Sequence, residues 1–283
     1  NTSTPTTAPY ADTQAPVAPT VTVSEADNDG KPTASGVAEP GSTVTVTWPN
    51  GTTSTVTADP TTGAYEVESP TVQTNGNITA TATDVNGNTS TPTTAPYADT
   101  QAPVAGTLSL SNFIDSGSSS SDKISNDKTF DLTISGQEAG TTVVYQVSTD
   151  GGTSWTPTTA SQSGLTDGTY KFRATVTDSA GNSSTTPVQT VVVDTVTTAG
   201  TLSLSNFIDS GSSSSDKISN DKTFDLTISG QEAGTTVVYQ VSTDGGTSWT
   251  PTTASQSGLT DGTYKFRATV TDASGNSATT PVQ

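Results

Sequence analysis

The sequence predicts an all-β chain, and three observations carry that prediction. Gly106 to Gln189 recurs at Gly200 to Gln283 with three differences in 84 positions, so the chain is an array of one building block. Phe130, Leu132 and Ile134 alternate with Thr129, Asp131, Thr133 and Ser135, and Tyr170, Phe172, Ala174 and Val176 alternate with Thr169, Lys171, Arg173 and Thr175. Period two with one apolar face marks half-buried strands. Gly, Asp, Asn and Pro punctuate these Thr- and Val-rich runs every eight to twelve residues or so, the rhythm of a β-sandwich. No segment has helical spacing. The expectation is three tandem immunoglobulin-like β-sandwich domains in a linear rod.

Taken in chain order, the opening stretch NTSTPTTAPYADTQAPV at 1–17 returns word for word at 88–104. Residues 1–13 therefore read as the tail of a preceding repeat and its linker. Domain 1 follows at 14–100, domain 2 at 101–195 and domain 3 at 196–283. The second copy continues past PVQ as TVVVDT whereas the third stops there, so domain 3 reads as C-terminally truncated. Near-identity that extends over surface loops as well as the buried face argues that repetition itself is the function.

Only 29% of the residues are apolar, low enough to raise disorder as an alternative, and the strict alternation answers it. The sequence has no cysteine, so no disulfide can staple a sandwich this small and another device must stiffen it. It shows no signal peptide and no apolar run of about 18 residues. The net charge is −18, from 27 acidic against 9 basic residues. Scattered lysines and two arginines cannot neutralise a phosphate backbone, which excludes nucleic acid as a partner, and the charge equally disfavours anionic membranes.

Aligning the three units brings acids into register. The first recurring position is an Asp in the connector, at Asp12, Asp99 and Asp194. The second is a Glu after the second strand, at Glu39, Glu138 and Glu232. The third is an Asp closing the penultimate strand, at Asp84, Asp178 and Asp272. In a seven-stranded sandwich the incoming chain, the B–C loop and the F–G loop lie at one end, so each trio is expected to converge. Like charges that close repel unless a cation sits between them. Carboxylates with loop carbonyls suit Ca²⁺, which takes six to eight oxygens or so, better than Mg²⁺. Without His or Cys, a Zn²⁺ or Cu²⁺ site is disfavoured. These nine acids are the foremost metal candidates.

A second acidic set occupies the A–B loop: Asp27 and Asp29 in the first unit, Asp115, Asp122 and Asp127 in the second, Asp209, Asp216 and Asp221 in the third. That loop falls at the opposite end, beside the E–F turn with Asn75, Asp167 or Asp261 and beside the next connector. Each boundary would gather acids from one unit, the linker and the next unit. The competing reading for any one of them is a turn Asp capping its own backbone. EADNDG at 25–30 resembles the front of an EF-hand loop, but Gly36 stands where the bidentate Glu belongs.

Enzymatic readings fail on residue types. STDGGTSW at 148–155 and 242–249 matches the Asp-box of sialidases, there a structural hairpin, and here too it reads as a turn with Trp155 returning onto the sandwich. Arg173 and Arg267 are one position in two copies, not a converging arginine cluster. There is no His for base catalysis, no Cys nucleophile and no Gly-rich loop before a helix. Paired carboxylates could serve a glycosidase, but repetition would make two copies redundant. Trp48, Trp155, Trp249 and the tyrosines could form a sugar-stacking patch, although alternation assigns most of them to the core.

Two passages carry a family resemblance: DSGSSSSDKISND at 115–127 before a strand, and TDSAGNSS followed by VVVDTVTTAG within 177–200. Together they resemble the bacterial immunoglobulin-like (BIg) repeats of giant non-fimbrial adhesins exported by type I secretion. The resemblance spans all three units and is thinner in the first, whose A–B loop is shorter. It implies a secreted, cell-surface location, a role in adhesion and virulence, and a rod of repeats stiffened by Ca²⁺ at the domain junctions. Its carry-over is firmest at Asp99, Glu138 and Asp178 and at Asp194, Glu232 and Asp272. The implied partners are neighbouring repeats of the same chain and, through other parts of the parent protein, a host cell-surface receptor, with the repeats monomeric. The alternative is a module that binds a host glycan or protein directly. It predicts a contiguous exposed aromatic or polar patch on the divergent first unit.

Overall fold

The computed structural model describes residues 2, 11–24 and 30–283. Among these, regular structure consists of strands alone. The chain groups into two compact units. Unit 1 comprises Asn1–Leu108, Ile134–Tyr145 and Arg173–Pro187; unit 2 comprises Ser109–Thr133, Gln146–Phe172 and Val188–Gln283.

In unit 1 the first repeat contributes β1 (Thr22–Ser24), β2 (Thr33–Val37), β3 (Thr43–Thr47), β4 (Thr53–Thr57), β5 (Ala64–Glu68), β6 (Gly76–Thr83) and β7 (Thr93–Tyr97). They form a three-stranded sheet, β1-β2-β5, and a four-stranded sheet, β4-β3-β6-β7, the two layers of an immunoglobulin-like sandwich. Alternation explains the layering: Val44 and Val46 on β3, and Ile78, Ala80 and Ala82 on β6, point inward with Trp48, Tyr65 and Tyr97. Small alanines leave room for the rings. Buried polar tips are satisfied, since the Trp48 Nε1 donates to Ser54 Oγ at 2.9 Å and the Tyr65 hydroxyl to the Thr20 carbonyl at 2.6 Å. Asn50-Gly51 turns the chain from β3 to β4, and Gly51 takes the positive φ of 83° that the turn demands.

The second repeat follows with β8 (Thr107–Ser111), β9 (Ile124–Ser125), β10 (Phe130–Ser135), β11 (Thr142–Ser148), β12 (Thr156–Pro157), β13 (Ser161–Gln162), β14 (Gly168–Thr177), β15 (Ser183–Thr185) and β16 (Gln189–Val193). Both alternating segments anticipated from sequence are strands, β10 and β14. In unit 1, Thr175–Thr177 of β14 pair with β15. In unit 2, Gly168–Phe172 pair with β16, and Val192 and Val193 pair in parallel with Ile124 and Ser125 of β9.

The third repeat completes unit 2 with β17 (Thr201–Ser205), β18 (Phe224–Ser229), β19 (Thr236–Ser242), β20 (Thr250–Thr252), β21 (Ser255–Gln256), β22 (Lys265–Thr271) and β23 (Ser277–Thr279). Sheets β17-β18-β21 and β20-β19-β22-β23 enclose Leu202, Phe224, Leu226, Phe266 and Ala268. Phe224 meets Phe207 and Phe266 edge-on, with ring centroids 5.5 and 5.6 Å apart.

The Asp-box forms the turn the sequence predicts. The Asp150 carboxylate accepts bonds from the Ser148 and Ser154 hydroxyls and from the Thr153 and Ser154 amides. Its tryptophan differs from the alternation argument. Trp249 lies outside the core cluster, with the Arg267 guanidinium 4.2 Å above its ring, because the two-glycine turn returns it to the sheet's outer side. No helix of the described residues is long and apolar enough to cross a membrane.

Candidate metal centre

The F–G turn is built the same way in all three repeats, from an Asp-x-x-Gly-Asn sequence. Asp84 Oδ1 accepts the amides of Asn86 and Asn88 at 2.9 and 2.8 Å, and its Oδ2 accepts the Asn88 side-chain amide at 2.8 Å. The bond from the Asn88 side chain leads the causes that hold this carboxyl below its ordinary value. Asp178 with Asn182, and Asp272 with Asn276, repeat the pattern. Gly87, Gly181 and Gly275 take positive φ values of 89°, 98° and 89°, which lets the turn close. The same asparagine side chain also donates to the connector: Asn88 to the Asp12 carbonyl at 3.2 Å, Asn182 to that of Asp99 at 3.2 Å, and Asn276 to that of Asp194 at 2.9 Å. The asparagine thus clamps the connector Asp beside the turn Asp, as the topology argument requires.

In unit 2 the third acid joins them. One carboxylate oxygen each of Asp194, Glu232 and Asp272 lies within 4.8 Å of the others, and among the described residues this is the one such group. Asp194 is placed by its amide on the Ser125 carbonyl at 3.0 Å, and Glu232 by its amide on the Thr198 carbonyl at 3.1 Å. Ser274 Oγ donates to Asp194 Oδ2 at 3.1 Å. Asp272 is 6% exposed and the other two are half-buried. At a spacing of 4.8 Å, two unit charges in an effective dielectric of about 20 repel by about 3.5 kcal/mol. A cation relieves three such terms at once. The donor set is all oxygen and all anionic, which fits a hard divalent ion.

Unit 1 holds the corresponding acids differently. Asp99, 7% exposed, accepts the Gln101 amide at 3.0 Å, and Asp178 sits in its turn, but Glu138 Oε2 accepts the Val104 amide at 3.3 Å. These three oxygens are not drawn into a group like that of unit 2. At the first repeat's upper end, Asp12 Oδ2 accepts the Asn86 side chain at 3.1 Å beside Asp84, while Glu39 is exposed and does not complete a trio.

Among the A–B acids, Asp27 and Asp29 lie outside the described residues. The others fasten their own loops. Asp115 Oδ2 accepts the Lys123 amide at 3.0 Å, Asp122 that of Ile124 at 3.0 Å, and Asp127 those of Ile114 and Thr129 at 2.8 and 2.9 Å. Asp209, Asp216 and Asp221 repeat these contacts with Lys217, Ile218, Ile208 and Thr223. Asp115 Oδ1 and Asp209 Oδ1 are buried without a hydrogen-bond partner, as is Thr197 Oγ1 of the connector among the described residues. The E–F turn does lie beside the following connector: the Asp99 amide donates to Asn75 Oδ1 at 2.9 Å, and Thr195 Oγ1 to Asp167 Oδ1 at 2.7 Å. Asp261 forms an exposed 3.2 Å pair with Lys222, which adds little.

Unit 2 also contains a contact that acid-counting missed. The A–B loop of the second repeat docks on the F–G turn of the third. Ser116 Oγ donates to the Ser274 carbonyl at 2.7 Å, the Ser118 amide to that of Ala273 at 3.2 Å, and Asn126 Nδ2 to Asn276 Oδ1 at 3.3 Å. Gly117 permits the approach, since a Cβ there would stand 1.9 Å from the Ala273 oxygen. The clamping asparagines were also missed, though the recurring Asp-x-x-Gly-Asn was a signal available in the sequence.

Sequence comparison matches residues 101–195 and 196–283 to the bacterial Ig-like domain and 15–99 to the bacterial Ig domain. No curated relative matches. Among solved structures, the chain is similar to a Ca²⁺-stabilised adhesin with which an Antarctic bacterium binds ice, at 24% identity, covering 95% of this chain and 73% of that one, with a TM-score of 0.32. A 1.5-MDa bacterial ice-binding adhesin matches at 20% identity over 94% and 96%, TM-score 0.31. The FN1–FN3 domains of chicken CNTN1 match at 8% identity over 95% and 98%, TM-score 0.32. With family models matching all three repeats, the chain belongs to the bacterial Ig-like domains.

Proposed function

We propose that this chain is a stalk segment of a bacterial surface adhesin, a spacer of three repeats at 14–100, 101–195 and 196–283, without enzymatic activity, whose junctions are stiffened by Ca²⁺. The observation that carries this reading is the convergence of Asp194, Glu232 and Asp272, which brings the connector and two loops of the next repeat to one point. A cation bound there by all three would remove hinge freedom that a connector of a few residues otherwise retains. Carboxylate-rich sites of extracellular modules bind Ca²⁺ at about 0.1–1 mM, so the junctions would be empty and pliable in a cytosol and filled outside, compatible with type I secretion. Reach would scale with copy number, and the host receptor would be met by other parts of the parent protein.

The surface of the first repeat supports a spacer over a direct glycan- or protein-binding module. On its four-stranded sheet, Thr43, Thr45 and Thr47 pair with Thr57, Thr55 and Thr53 on one side and with Thr83, Thr81 and Thr79 on the other. Those threonines alternate with the buried Val44 and Val46, so they form the outward face. Threonine is the polar residue best suited to a solvated strand, and this face carries no aromatic anchor on those positions.

Small-angle scattering of the fragment in millimolar Ca²⁺ and after chelation tests the proposal. Three units of roughly 30–40 Å in line predict a maximum dimension of about 100 Å with calcium and a bent or shorter average without it. An unchanged profile would mean that the connectors are rigid by packing alone and that the trio only caps turns.

A further inference from the structure

The second residue after the turn aspartate differs in each repeat: Asn86, Ala180 and Ser274. Ala180 and Ser274 form one of the three differences between the otherwise repeated blocks. Where this position has a donor, it reaches the connector carboxylate. Asn86 Nδ2 donates to Asp12 Oδ2 at 3.1 Å, and Ser274 Oγ donates to Asp194 Oδ2 at the same distance. An alanine has nothing to donate. Ser274 is fully buried, and its carbonyl is tied to Ser116 Oγ at 2.7 Å, so its hydroxyl is held in place from behind.

We propose that this position is a positioning residue that sets the cation affinity of each junction, with Ser274 orienting the Asp194 carboxylate toward Glu232 and Asp272. The proposal rests on the calcium reading above. A carboxylate already turned toward its partners gives up less freedom when the cation arrives, and hydrogen bonds from beyond the ligands serve that purpose at metal sites generally. The hydroxyl occupies one lone pair of Asp194 Oδ2 and leaves the remaining acceptor positions for the ion. The Asn–Ala–Ser series would then add to the differences among the junctions, with the Ala180 junction gaining no such bond from this position.

Calcium titration calorimetry on the intact chain, with Ser274→Ala, Ser274→Asn and Ala180→Ser, tests this. Loss of an orienting partner at a metal site weakens binding by about tenfold or more, so Ser274→Ala is expected to weaken one site by about tenfold. Ser274→Asn should preserve that site, and Ala180→Ser should tighten a different one by a similar factor. Alanine already occupies the equivalent place in the second repeat, so folding is expected to survive, and calcium-free melting curves check it. Uptake with the same constants in all four proteins would overturn the proposal while leaving the calcium stalk standing. Tighter binding by Ser274→Ala, or failure of asparagine to preserve affinity, would also overturn it. No calcium uptake by the unaltered chain would remove the calcium reading itself.

Discussion

The same acid types on near-identical loops behave differently in two copies of one sequence: Asp194, Glu232 and Asp272 converge, and Asp99, Glu138 and Asp178 do not. Within each repeat the sequence determines the sandwich. At its ends, what the residues do depends on the segment that reaches them. At Glu138 one such contact is the Val104 amide of its own connector, which donates to the carboxylate at 3.3 Å.

The strongest way to break this comparison is to place one substitution in both copies. Gly117→Ala would drive a Cβ to 1.9 Å from the Ala273 oxygen, while Gly211→Ala meets nothing nearer than the Ile218 oxygen at 3.7 Å. Both positions have positive φ, 103° and 123°, so both substitutions carry backbone strain of about 1–3 kcal/mol. Only at Gly117 must the A–B loop also leave the F–G turn, losing three hydrogen bonds worth on the order of 1 kcal/mol each. Urea unfolding without calcium should therefore show Gly117→Ala destabilised by about 3 kcal/mol more than Gly211→Ala. Equal losses would mean that the docking contributes nothing to stability.

A smaller effect sharpens what the junctions share. Asn182 and Asn276 make matching bonds to the turn aspartate and to the connector carbonyl, so the clamp is common even though the trio is not. Replacing either by alanine should cost about 1.5–3 kcal/mol without calcium, since one of its bonds is to a carboxylate. Similar losses by the same unfolding measurement would locate the difference between the copies in the connector and the glutamate. A silent Asn182→Ala beside a costly Asn276→Ala would locate it in the turn together with the Asn126 bond that Asn276 also accepts.

These differences explain what the sequence did and did not reveal. Phe130, Leu132, Phe172 and Val176 announce their strands because a strand's inward face depends on period two alone. The recurrence of Asp, Glu and Asp across divergent repeats likewise revealed the candidate ligands, and topology revealed that Asn75 and Asp167 lie beside the next connectors. Convergence was expected at all three trios, and its confinement to one among the described residues was not legible. The connector from Asp99 to Gly106 has one residue more than that from Asp194 to Gly200 and carries Pro103, and sequence does not show how such a difference turns a side chain two loops away. Trp249 was hidden for a similar reason, because its place under Arg267 follows from the geometry of two positive-φ glycines, not from alternation.

The smallest effect supplies a control in which the two copies should agree. Asp150 and Asp244 sit in identical Asp-boxes, and in each the bond from the serine four residues on, Ser154 or Ser248, leads the causes that hold the carboxyl well below its ordinary value of 3.8. A folded-state pKa that is depressed means the unfolded chain binds the proton more readily. The stability gained is therefore fully present above about pH 4 and is lost as the pH falls below it. Both carboxylates are fully exposed, so solvent screens the contribution and the effect should be modest. Melting temperatures measured in chelator between pH 5 and pH 2 should fall less steeply in Asp150→Asn and in Asp244→Asn than in the unaltered chain, and by equal amounts in the two variants. Unequal slopes would mean that the influence of neighbouring segments reaches the hairpin as well as the repeat ends, and the division between a self-determined sandwich and context-determined ends would have to be drawn elsewhere.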